Sequence, residues 1–339
     1  MGCCNNKELY IVCSWDWDEG PYVSLADLGT APAPRAEAMA AAPRRLGRLA
    51  MGSLATAAVG GAGGYVMYKQ RLKDNKAVTA EDFNAAQDQA TISNALRAAA
   101  RRESTLRLEM YRYTTCPYCG KVKAFLDYFR IPHEAVEVEP MFKSQLKASE
   151  YKKLPQLRFG GDDGVWLVDS DCIVDAMSRA MGLESQLSDP ESIVVFGIKH
   201  VTLNINRSLA SAWQGYSYID AFDTIPLVNK LFLKVVGAPV MYMVATKKTF
   251  PTLVKSGDLK ESDDWRSVFH AQVNRFVDEV PLSKRRPFHG GQKPDLADLD
   301  VYGVLQSIRG HEVYRDMLEN TKISDWMGRM DAATGRTSE

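Results

Sequence analysis

The chain has 339 residues, room for about two domains plus extensions. Its 42 Lys and Arg balance 42 Asp and Glu, which removes the strong single-sign field of a nucleic-acid binder, so no nucleic-acid partner is expected. Six cysteines in a chain this long are too few for a disulfide framework, and a reducing compartment is the default expectation.

Residues 1–48 read as a targeting or unstructured segment. Gly2 with Cys3 and Cys4 matches an acylation signal in part, with Asn6 where Ser or Thr is preferred. Asp16, Asp18, Glu19, Asp27 and Glu37 argue against a mitochondrial presequence at the extreme N-terminus. From Met39 onward Arg44, Arg45 and Arg48 suit one, with no acid before Asp74. Leu49–Tyr68 is a charge-free run of twenty residues. As a helix it would span about 30 Å, the hydrocarbon thickness of a bilayer. Arg48 precedes it, Lys69, Arg71 and Lys73 follow it, and Gly60 and Gly64 form a GxxxG pair. A single membrane helix over 49–68 is expected, with a Gly/Ala-rich linker as the alternative. The mitochondrial inner membrane is the expected location, and a Golgi or other acylated-membrane location the alternative. Residues 69–104 read as a solvated connecting helix, with a capping box from Thr79 to Asp82 and a loose stripe of Phe83, Ala86, Ala90, Ala95 and Leu96.

Residues 105–182 alternate strand and helix. A strand over Thr105–Tyr113 runs into Cys116-Pro117-Tyr118-Cys119. A helix follows to about residue 130, with Val122, Phe125, Leu126 and Phe129 on one face. His133–Val138 reads as a strand, Lys143–Tyr151 as a short helix, and Gln156–Phe159 and Trp166–Val168 as two strands divided by a Gly-rich turn. Ser170–Met181 is a helix with Ile173, Val174, Met177 and Met181 inward. This βαβα-ββα order is that of a thioredoxin-like domain. Residues 183–194 read as a polar linker. Residues 195–339 read as an all-α domain with helices near 192–213, 224–247, 262–280, 295–309 and 323–333. His200 and Trp213 are expected in its core, with a place at a substrate cleft as the alternative.

The chemistry lies where the first strand gives way to helix. A thiolate at Cys116 meets the exposed N–H groups and positive end of the helix dipole, and Cys119 stands one turn further on as a resolving thiol. Pro117 suits the first helical turn, where its missing N–H has no partner to lose. A CxxC pair is also half of a zinc site, but no second Cys or His pair stands at ligand spacing, so no metal is expected. A thioredoxin-like fold whose thiols do no chemistry is the other alternative.

Four stretches carry a resemblance: Tyr113-Thr-Thr-Cys-Pro-Tyr-Cys119, Tyr151-Lys-Lys-Leu-Pro-Gln156, Val168-Asp-Ser170 and Pro287-Phe-His-Gly-Gly-Gln-Lys-Pro-Asp-Leu-Ala-Asp-Leu-Asp-Val-Tyr-Gly303. Over about residues 105–332 the chain resembles the membrane-associated prostaglandin E synthase 2 family, with glutaredoxins and glutathione transferases as wider relatives. The fold implied is an α/β thioredoxin-like domain followed by an all-α glutathione-transferase-like domain, behind an N-terminal membrane segment. The resemblance implies a cis bond at Leu154-Pro155 and glutathione held by Leu154, Pro155, Asp169 and Ser170. It sets Tyr113 beside a reactive Cys116, and implies haem as a further cofactor and a lipid-derived substrate, prostaglandin H2, isomerised to prostaglandin E2. A homodimer or a membrane-complex partner is expected. The alternatives are a glutaredoxin-like thiol–disulfide oxidoreductase or glutathione transferase, and a non-enzymatic subunit of a mitochondrial membrane complex.

Overall fold

The computed structural model describes residues 70, 73, 78–103, 105–140, 143–183, 193–222, 225–279 and 286–336. The expected membrane span Leu49–Tyr68, the acylation signal and most of the linker fall outside the described residues. Residues Val78–Glu339 belong to one compact unit.

The segment expected as a solvated connector is two packed helices, α1 (Ala80–Ala86) and α2 (Gln89–Ala100). Asp88 breaks the run by capping α2 through its carboxylate, which accepts from the Ala90 N–H at 3.1 Å. Phe83, Ile92, Leu96 and Ala99 are buried in the main core.

The sheet holds β1 (Leu108–Arg112), β2 (Glu134–Glu137), β3 (Gln156–Phe159) and β4 (Val165–Val168) in the order β2-β1-β3-β4. β2 runs parallel to β1, while β3 is antiparallel to both β1 and β4. A parallel neighbour requires a crossover, and α3 (Pro117–Tyr128) supplies it. The expected short helix over Lys143–Tyr151 is only a 3₁₀ turn, Ser144–Leu146. β4 is an edge strand, and α1 covers it with amide side chains. Asn84 donates to the Val168 carbonyl and accepts from its N–H, both at 2.9 Å, and Gln87 accepts from the Trp166 N–H at 3.0 Å. These side chains stand in for a missing strand.

After β4 comes α4 (Ser170–Ala180), and then helices only: α5 (Ile193–Ile205), α6 (Leu209–Gly215) and α7 (Leu227–Val244). A π turn, Ala245–Thr249, leads into α8 (Phe250–Ser256). The remainder is α9 (Trp265–Glu279), α10 (Leu296–Gln306), α11 (Glu312–Asn320) and α12 (Ser324–Thr334). The expected helix over 192–213 is split, because the Ser208 hydroxyl accepts from the Ser211 N–H and starts a new one. His200 is buried as expected, but Trp213 is not a core residue: it is 40% exposed.

α3 and α10 approach backbone to backbone. A Cβ on Gly120 would lie 2.0 Å from the Gly303 carbonyl oxygen, and one on Gly303 2.5 Å from that of Gly120. The helix bearing the thiols is thus seated directly on the helical region. The Gly-Gly-Gln-Lys-Pro loop is fixed by Asp298, the far end of the expected capping box on α10. Asp298 accepts from the backbone N–H groups of His289 (3.0 Å), Gly290 (2.9 Å) and Asp295 (3.1 Å), and from Trp326 Nε1 (2.9 Å). That buried, fully accepting carboxylate accounts for the motif as a folding device.

Candidate active site

Three turns meet the sheet at its thiol end. Cys116 closes β1's extension and is the N-cap of α3; its Sγ accepts from the Cys119 N–H at 3.2 Å. Pro117 takes the first position of the helix. Cys116 is 3% exposed and is held in a disulfide, though not with Cys119, which is a free thiol. Cys119 is buried one turn inside, and burial pushes its thiol up to about 12. It therefore stays protonated at neutral pH, whereas the Cys116 sulfur sits at the helix N-terminus, where a thiolate is favoured.

The second turn carries Leu154-Pro155, whose peptide bond is cis. Gln156, next in the chain, opens β3 and is fully buried, its amide donating to the Tyr151 and Lys153 carbonyls at 2.8 Å. The third turn is Asp169-Ser170. Asp169 has φ +79° and is the N-cap of α4, accepting from the N–H groups of Asp171 at 2.9 Å and Cys172 at 3.1 Å. One of its oxygens is thus committed to capping. Ser170 follows as the first helical residue, buried.

Two residues at the site carry no sequence signal of their own. Lys121, on α3, is 4% exposed and bonds Asp171 of α4 at 2.7 Å and Asp300 of α10 at 3.4 Å. Burial opposes its charge, but the two carboxylates outweigh burial and hold the ammonium above its ordinary range. This ion triad ties the thiol helix to the Asp169-Ser170 helix and to the helical region. Nothing in the sequence pairs it, because its members lie 50 and 179 residues from Lys121. Tyr218, half-buried in the 3₁₀ turn Ser217–Ala221, reaches the same place from the other direction. Burial foremost, and then nearby Tyr113, Tyr216, Glu137 and Cys119, raise its phenol well above the usual range. Tyr113 itself is buried at the end of the strand segment. On the floor of the site Arg112 and Glu137 pair across β1 and β2 at 2.6 Å, and Thr114 donates to Glu137 at 2.7 Å.

Haem needs an axial ligand and a slot for the macrocycle. None of the three site turns carries a histidine, and their one sulfur at a helix start, Cys116, is already capped and in a disulfide. These three turns do not fit a haem, and no step below uses one.

The glutathione S-transferase N-terminal domain family matches residues 110–184, which hold all three turns. The fold is therefore that of a glutathione-transferase-like protein, an α/β thioredoxin-like domain followed by helices. The mouse protein named prostaglandin E synthase 2 is 30% identical over 281 residues, 68% of this chain and 71% of that one. The zebrafish protein of the same name is 28% identical over 287 residues, 70% of this chain and 73% of that one. The chain belongs to the prostaglandin E synthase 2 family. Among solved structures, glutaredoxin 2 of Salmonella typhimurium in complex with glutathione aligns at 13% identity, over 68% of this chain and 95% of that one. The TM-score of that alignment is 0.41.

Proposed function

We propose that this chain is a membrane-tethered, glutathione-binding isomerase that converts prostaglandin H2 to prostaglandin E2, with Cys116 as its nucleophile. The observation that carries the reading is the Cys116 sulfur at the N-cap of α3, in a chain whose relatives bear that enzyme's name. Once reduced, the Cys116 thiolate attacks one endoperoxide oxygen and forms an S–O bond as the O–O bond breaks. The other oxygen leaves as an alkoxide and takes a proton. Loss of the hydrogen on the carbon bearing the sulfur-bound oxygen, as a proton, forms the ketone and returns the S–O electron pair to sulfur. Atoms and electrons balance without an outside oxidant, and only the thiolate form of the residue can begin the cycle.

The same three turns would hold glutathione. Leu154 offers a backbone edge for its peptide part. At the N-terminus of α4, where Asp169 already caps the Asp171 and Cys172 N–H groups, the Ser170 N–H and hydroxyl would take the γ-glutamyl carboxylate. Leu49–Tyr68 would tether the enzyme to the mitochondrial inner membrane. The glutaredoxin-like alternative uses the same Cys116 at the helix N-terminus. Against it, a dithiol cycle needs Cys119 as a thiolate, and burial pushes that thiol up to about 12.

Product analysis with prostaglandin H2 tests the proposal, using the reduced full-length protein with and without glutathione, beside Cys116→Ser. Prostaglandin E2 formation lost in the variant is the expected result. Full activity in Cys116→Ser removes the nucleophile assignment. Glutathione-dependent disulfide reduction without prostaglandin E2 moves the reading to the oxidoreductase.

A further inference from the structure

α7 buries one face and exposes the other. Leu233, Gly237, Ala238 and Val244 are buried, against a small cluster with Ala212, Tyr216 and Ile219. Leu227, Leu231 and Val235, spaced by four, form one outward row, and Val228, Phe232 and Val236 form the row beside it. Leu227 and Val228 are 81% and 77% exposed, and Met243 extends the face by two further turns. Leu209 and Trp213 of α6 are exposed as well. A contiguous apolar face of this size is not the scatter of single residues that a soluble surface tolerates.

Charge decides what covers it. From Ile225 to Ser256 there is no Asp or Glu, and there are five lysines: Lys230, Lys234, Lys247, Lys248 and Lys255. Two of them are held on the helix flank, Lys230 donating to the Asp220 carbonyl at 3.0 Å and Lys234 to its carboxylate at 2.5 Å. Apolar residues with a tryptophan on one side, and exposed Lys247 and Lys255 further along the same helical run, complement an anionic headgroup layer over acyl chains. A second copy of the chain would instead set one lysine-rich, acid-free segment against another. The helical run Leu227–Ser256 has the length and composition to cross a membrane. Crossing, however, would strip the inner face of α7 from Ala212, Tyr216 and Ile219.

We infer that the outer face of α7 lies in the surface of an anionic lipid bilayer, a second membrane contact separate from Leu49–Tyr68. The turn bearing Tyr218, beside Cys119, lies between α6 and α7 in the chain. The contact would therefore bring the turn that reaches the thiol site toward the lipid phase from which, on the proposed function, an apolar substrate arrives.

Photo-labelling tests this on the full-length protein. The vesicles are phosphatidylcholine with or without about one-third phosphatidylglycerol, and include a phosphatidylcholine with a diazirine on its acyl chain. Labelled peptides are mapped by mass spectrometry, which reads α7 separately from the N-terminal segment. The expected result is labelling of Leu227, Leu231, Val235 and Trp213 that rises with phosphatidylglycerol. Lys247→Glu and Lys255→Glu should each reduce it about fivefold, the equivalent of about 1 kcal/mol per lysine near an anionic surface. Leu231→Glu with Val235→Glu should abolish it without altering the melting temperature, since both side chains point outward. Three results would overturn the inference: no label on α7 while other segments are labelled, equal label on buried Leu233 and Val244, or lysine cross-links joining α7 of two copies in place of lipid label.

Discussion

The thiol end of the sheet and the α6–α7 region hold apolar residues in opposite ways. Around Cys116 they are enclosed, and the polar groups among them are tied across elements: Lys121 to Asp171 and Asp300, Arg112 to Glu137, Asn84 to Val168. Along α7, apolar residues of the same kinds face outward with lysines at their flank. Composition cannot separate these two arrangements; what separates them is whether a facing element supplies partners. The thiol end is built to fix geometry, which nucleophilic chemistry needs. α7 is built to meet something outside the protein.

The sharpest way to break this comparison is at the nucleophile. Cys116→Ser should lower prostaglandin E2 formation on the order of a thousandfold or more, as expected when a nucleophile is removed. Cys119→Ser should leave it within a few fold, because a thiol pushed up to about 12 takes no part at neutral pH. Steady-state rates of the two reduced variants decide it, and equal losses would mean that the pair acts as a dithiol.

Next in size is the ion triad. Lys121→Met leaves Asp300, a 9% exposed side chain, without its cation. Breaking a buried pair from one side costs about 3–5 kcal/mol. Asp171→Ala should cost under about 1 kcal/mol, since that carboxylate is half exposed. Urea unfolding measures both. If Lys121→Met is neutral, core packing and the Gly120–Gly303 approach hold the thiol helix without the triad.

The local parts of the thiol site were legible in the sequence, because each is written in a few adjacent residues. Pro117 after Cys116 marks a helix start, and Gln156–Phe159 alternates within a bounded run. The cis bond at Leu154-Pro155 came from family resemblance rather than from residue chemistry. What escaped was long-range. Asn84 and Gln87 resemble solvent-facing amides until β4 is placed beside them. α11 escaped because its buried residues, Val313, Tyr314 and Met317, make too short a stripe within a polar helix. An aromatic on a helix reads as core, but among the described residues no element covers Trp213.

The helical region should show its own pH signature. Burial lowers His200 from its ordinary 6.5 to about 4, so the native state holds it neutral. Between those values the unfolded chain binds the extra proton. Its contribution is therefore complete above about pH 6.5, is lost as pH falls, and is gone below about pH 4, roughly 3 kcal/mol in all. Urea midpoints across this window should fall in the wild type and flatten in His200→Leu. An unchanged slope would mean that other groups set the acid sensitivity.

The smallest effect concerns the edge of the sheet. Asn84 makes two hydrogen bonds to Val168, the residue just before Asp169. Asn84→Ala removes both and leaves a buried backbone N–H and C=O to find water, a loss of roughly 2 kcal/mol. The damage should be local. Exchange of the Val168 amide should quicken, and the turn that follows should loosen, so glutathione affinity should fall while the alkylation rate of reduced Cys116 stays the same. Asn84→Asp keeps one acceptor for the Val168 N–H but loses the donor to its carbonyl, and should fall between the two. Hydrogen exchange with calorimetry on the same samples would separate these outcomes. Equal weakening of glutathione binding and Cys116 reactivity would mean that α1 supports the whole sheet rather than its edge alone.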